Sequence, residues 1–134
     1  MNTTITSFHP IRFGLAVLAL AALLLMPLRA ADGTLTIQVK CSPAVVILDS
    51  VANGNCMTVH TDLRYSKVDR TQPIELNGLP ATAVFSDSRG QLVAKFDLTV
   101  LKTMLTVPAT TLTLTGRTTD GLQFIGADEV RVIE

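Results

Sequence analysis

Tryptophan is absent from this 134-residue chain, Tyr65 is its one tyrosine, and phenylalanine occurs five times. Binding sugars by stacking needs exposed aromatic rings, and four of these six fall in inward register or in the N-terminal apolar run. Histidine occurs twice, and beyond residue 30 only His60 is left. A lone His on the outward side of a strand has no clustered partner for acid–base work. There is no G-x-S-x-G elbow, no glycine-rich phosphate loop, no H-E-x-x-H and no C-x-x-C-H, so neither a catalytic centre nor a cofactor is expected. No enzyme activity is expected either, because no acid–base constellation is visible. Excess charge is missing too: eleven basic residues balance eleven acidic ones. Such a chain has no electrostatic footprint for nucleic acid and no basic face for an anionic membrane.

What is present begins with an export layout. Arg12 precedes an apolar run from Phe13 to Leu28, and small residues follow at Ala30 and Ala31. Sixteen apolar residues fall short of the roughly 20 that a spanning helix needs. A signal peptide over residues 1–30, cleaved after Ala30, is therefore expected, with no membrane span left afterwards. No Cys sits at the end of the run to anchor a lipid, and the Phe-then-Glu start of a prepilin helix is missing. Removing Arg12 and Arg29 leaves nine basic against eleven acidic residues in 31–134, a single domain's worth of chain.

Two cysteines remain, Cys41 and Cys56. In an exported chain two cysteines most simply pair, and closing a loop of this length contributes about 3 kcal/mol. A Cys41–Cys56 disulfide is expected, tying two neighbouring strands. No metal site is expected. The nearest approach to one, Asp87-Ser88-Arg89-Gly90, has a single acid and a repelling cation, too few oxygen ligands for calcium.

Period-two alternation dominates the rest. Leu35, Ile37 and Val39 alternate over Thr34–Val39. A short apolar run follows from Ala44 to Leu48. Met57, Val59, Thr61 and Leu63 then share one face, with His60 on the other. Asn53-Gly54, Asn77-Gly78, Asp87–Gly90 and Asp120-Gly121 read as turns. Arg64 to Gln72 reads as a solvated loop. Short strands are expected at Pro73–Leu76 and Thr82–Phe85. From Gln91 onward Leu92, Ala94 and Phe96 alternate, then Leu112 and Leu114, then Val130 and Val132. Between them Val100, Leu101, Met104 and Leu105 have helical spacing, with Asp97 or Thr99 placed to cap. Leu122–Ile125 and Asp128–Ile133 read as two final strands. Seven or eight short strands at this spacing predict an all-β fold, an immunoglobulin-like antiparallel β-sandwich with one short crossover helix.

Ser42-Pro43, Ile47-Leu48, Ser50 and Thr58-Val59 open a pattern that continues with Lys95-Phe96-Asp97 and Thr113-Leu114-Thr115-Gly116. It closes with Asp120-Gly121, Phe124, Gly126, Asp128 and Arg131-Val132. This pattern resembles a secreted, immunoglobulin-like β-domain repeated in large bacterial and archaeal extracellular proteins, and implies a non-enzymatic role. The family's acidic loop is reduced here to Asp87–Gly90. Cys41 and Cys56 replace its aliphatic and Trp positions, which looks like an added staple. In size and architecture the chain also resembles the β-rich globular chain of split type IV pilins. That likeness implies a short helical prepilin-type partner, Sec export to the periplasm, and assembly into a cell-surface filament. Val100, Leu101, Met104 and Leu105 are the candidate docking residues. Two other roles are open to such a chain, a periplasmic chaperone for a hydrophobic pilin and a secreted carbohydrate- or matrix-binding module.

Overall fold

Ten strands and two short helical turns account for most of residues 33–50 and 54–134, the residues that the computed structural model describes. The expected signal peptide lies outside them, as does Asn53 of the first expected turn. The strands are β1 (Thr34–Thr36), β2 (Val39–Ser42), β3 (Val45–Ile47), β4 (Cys56–Arg64) and β5 (Glu75–Leu76). They continue with β6 (Leu79–Pro80), β7 (Ala83–Ser86), β8 (Gln91–Asp97), β9 (Ala109–Arg117) and β10 (Gln123–Ile133). The chain is all-β and forms two sheets. One has the order β1-β10-β9-β5-β6 with β3 also on β10, and the other is β2-β4-β8-β7.

The alternating positions supply the core. Met57, Val59 and Leu63 come from β4, Leu92, Ala94 and Phe96 from β8, Leu112 and Leu114 from β9, and Phe124, Val130 and Val132 from β10; all are buried in one cluster. Each large side chain of this set contributes about 1.5–3 kcal/mol by leaving water. Val93 is buried as well, on the other face of β8.

Three segments differ from the sequence reading. Thr34–Val39 is two strands rather than one, because Ile37 and Gln38 bond to different sheets. Ile37 N–H donates to Ile125 O at 2.9 Å, and Gln38 N–H donates to Asp62 Oδ1 at 2.9 Å. After Ser42 the chain returns to the first sheet as β3. Both β1 and β3 run parallel to β10, so the fold is not purely antiparallel. The expected final pair of strands is instead one continuous strand, β10, registered with β9 from Gln123 to Arg131.

Gly126 explains why β10 runs through without a break. A Cβ there would meet Val39 Cγ2 and lie 2.6 Å from Ile37 O, so the glycine leaves room for the chain crossing between sheets. Opposite β10, Gly116 pairs with Phe124, whose ring covers the position a Cβ would take. Elsewhere the turns are as read. Asn77 (φ 49°) and Gly78 (φ 86°) both adopt positive φ between β5 and β6, the backbone a tight two-residue hairpin requires. The polar segment after Arg64 contains one 3-10 turn, Tyr65–Lys67.

Candidate functional site

The segment after β8 leaves the sheet as helix α1 (Leu98–Lys102). Asp97 is its cap: Oδ1 accepts from Thr99 N–H at 2.9 Å and Val100 N–H at 3.4 Å. Carbonyl-to-amide bonds from Val100 to Thr103, Leu101 to Met104 and Lys102 to Leu105 tighten the exit. Lys102 Nζ donates to Ser50 O and ties the helix to the loop after β3.

Helical geometry divides the four candidate docking residues. Leu98, Leu101 and Leu105 share the inward face and are buried. Val100 and Met104 point outward, 44% and 38% exposed, and Val107 beyond them is 45% exposed. The four therefore do not form one continuous ridge. The outward set is Val100, Met104 and Val107. Spacing alone had not selected Val107, because it lies past the helical period. Pro108 holds it beside the last strand, since Val132 N–H donates to Pro108 O at 2.9 Å.

A concavity of about 610 Å³ opens where β2 crosses β10. β1 covers Gln123–Ile125 of β10 and β3 covers Arg131–Ile133, leaving the middle of that edge without a paired strand among the described residues. Asp128 fills the gap: its Oδ2 accepts the Cys41 N–H at 2.8 Å. The residue falls in the inward register of Phe124, Val130 and Val132, and that register was the signal by which sequence could have found it. His60, Asp62 and Arg89 also line the cleft. Cys41 is buried there, and burial first, with the Asp128 charge second, pushes its thiol up to about 12. At neutral pH it is a protonated thiol and a poor nucleophile.

The expected Cys41–Cys56 disulfide is not formed, and both cysteines are free. Cys41 pairs with Val59 of β4, three residues along from Cys56. Cys41 also faces the core, whereas Cys56 is exposed on the opposite face of β4. Three residues of strand span about 10 Å, and a disulfide needs Cα atoms closer than about 7 Å and converging Cβ vectors. The alternation that buries Met57 and Val59 turns Cys56 away.

The Asp87 loop is a turn. Asp87 Oδ1 accepts from Arg89 N–H at 2.8 Å and Gln91 N–H at 3.0 Å, and Gly90 takes φ 81°. The Gln91 bond is the main reason the Asp87 carboxyl lies below its ordinary range. Among the described residues no group of three or more His, Cys, Asp or Glu is arranged to hold a metal ion. None of their helices is long and apolar enough to cross a membrane. Compared with known proteins, the chain matches no family model, no curated protein and no solved structure.

Proposed function

We propose that this chain is a non-catalytic, exported structural subunit. It is an immunoglobulin-like β-sandwich that serves as the globular chain of a two-chain type IV pilus filament. The observation that carries the reading is the outward apolar set Val100, Met104 and Val107, presented by a capped helix and the turn that follows it. Apolar side chains exposed on a rigid element suit burial against an amphipathic helix, the mode by which helices are captured at protein interfaces. The export layout of residues 1–30 supports passage to the periplasm, and the partner is a short helical prepilin-type protein.

A neighbouring reading frame encoding a short prepilin supports this subunit role, and its absence counts against it. Filaments sheared from cells and washed should carry the chain. Retention in the periplasm alone favours the chaperone role instead, and clear signal on a glycan array favours the matrix module. Val100→Lys with Met104→Lys should abolish incorporation while the isolated chain keeps its melting temperature. Normal incorporation of that variant would remove the proposed docking surface.

A further inference from the structure

Exposed sheet edges invite another strand, and proteins blunt them with short strands, proline, charge or a covering segment. Among the described residues, three of the four sheet edges are treated in that way. In the larger sheet, β6 has two residues and ends in Pro80, and the far edge is split between β1 and β3, of three residues each. In the smaller sheet, β2 lies against β10 with its Cys41 N–H held by Asp128. The fourth edge, β7, is Ala83-Val84-Phe85-Ser86, with neither charge nor proline within it.

We propose that β7 pairs antiparallel with β7 of a second copy of this chain about a twofold axis at Phe85, joining two four-stranded sheets into one. The register follows from the hairpin. Asp87 N–H donates to Gln91 O at 2.9 Å, so the alternating antiparallel ladder makes Phe85–Val93 and Ala83–Lys95 the hydrogen-bonded pairs. The N–H and C=O groups of Val84 and Ser86 are thereby directed to the open side. A twofold axis at Phe85 sets Val84 against the partner's Ser86, and Ser86 against the partner's Val84. Each such pair exchanges two backbone hydrogen bonds.

The side chains fit the same register. Phe85 meets the partner's Phe85 at the closely spaced position of the ladder, where facing Cα atoms lie about 4.5 Å apart and aromatic pairs gain most. Phe85 is 39% exposed, with Lys95 Nζ at 5.6 Å from its ring centre. On the same face Ala83 stands opposite Lys95 and, in this register, opposite the partner's Asp87, so a small residue leaves room on each side of the axis. The edge is thus complementary to itself in backbone hydrogen bonding and in its central aromatic pair. Such an isologous pair closes at two copies. It concerns the free chain and does not rest on the filament reading.

Sedimentation of the purified chain from about 10 µM to about 1 mM, a span that brackets micromolar to millimolar dissociation constants, should show a monomer–dimer equilibrium. Ser86→Pro removes one outward donor from each copy and leaves the hairpin bonds to β8 untouched. It should weaken association at least tenfold with the monomer's melting temperature retained. In a Cys56→Ser background, Phe85→Cys treated with oxidised glutathione should form a covalent dimer through position 85. That crosslink decides the matter should the proline variant fail to fold. A chain that stays monomeric throughout, a dimer indifferent to Ser86→Pro, or absence of the Phe85→Cys crosslink would overturn the pairing.

Discussion

Cys41 and Cys56 differ in burial and in the face of the sheet they occupy. One is buried beside a carboxylate and the other lies open on the far face of the sheet. A native thiol assay at pH 8 should label one cysteine per chain, and the same assay after denaturation two; no labelling in either state would mean that a disulfide is present. Cys41 also predicts an alkaline limit. Its folded value of about 12 exceeds the ordinary 9.0, so between these values the folded state binds more protons than the unfolded. Stability then falls as pH rises through that window and is whole below it. Cys41→Val should flatten that alkaline decline in a pH series of melting temperatures. Gly126→Ala should cost about 1–3 kcal/mol by overpacking, measured by urea unfolding, because the new methyl meets backbone at Ile37 as well as the Val39 side chain. Outcomes within error of wild type would show that the crossing can shift.

At the scale of the element, α1 separates folding from docking. Leu101→Ala should destabilise by about 2–5 kcal/mol, since it empties a core position. Val100→Ala and Met104→Ala, on the outward face, should stay within about 0.5 kcal/mol in the same unfolding experiment. Asp97→Ala removes the cap and should cost about 1 kcal/mol. Equal effects at Leu101 and Met104 would mean that the helix faces another way. The helix and its apolar spacing were legible in the sequence, and its cap was narrowed to Asp97 or Thr99, because each is set by neighbours within one or two turns. Which of the four apolar residues are buried depends on the sheets beneath them. Spacing names a stripe, and it gives no direction for that stripe when both sides of a short helix carry Val, Leu and Met.

At the scale of the described fold, the two sheets share one apolar cluster drawn largely from positions that alternation had already marked, joined by Val68 of the segment read as a loop and by Leu98, Leu101 and Leu105. The Asp87 turn adds an acid-side term. Its carboxyl is lowered, chiefly by the Gln91 N–H, so its contribution is present above the ordinary value of 3.8 and is lost as pH falls through the lower folded value. Asp87→Ala should shrink the loss of melting temperature on acidification below pH 3.8. An unchanged acid limb would assign that loss to other carboxylates. The route between sheets was not legible. Thr34–Val39 has one unbroken alternation, yet its two halves belong to different sheets, and the two halves of the final segment belong to one strand.

The alternating faces of β4, β8 and β9, the Asn77-Gly78 and Asp120-Gly121 turns and the short helix were determined by the sequence itself, because a period of two, an Asn-Gly pair and a helical period act over a few residues. Tertiary structure decided which strands are neighbours, that Cys41 and Cys56 lie on opposite faces and out of register, and that Asp128 caps a break in an edge. Those outcomes depend on contacts such as Cys41 to Asp128, 87 residues apart, where no local pattern constrains the pairing. An open β7 edge is the same kind of result: its four residues are ordinary strand residues, and only the order of strands leaves them without a second neighbour among the described residues.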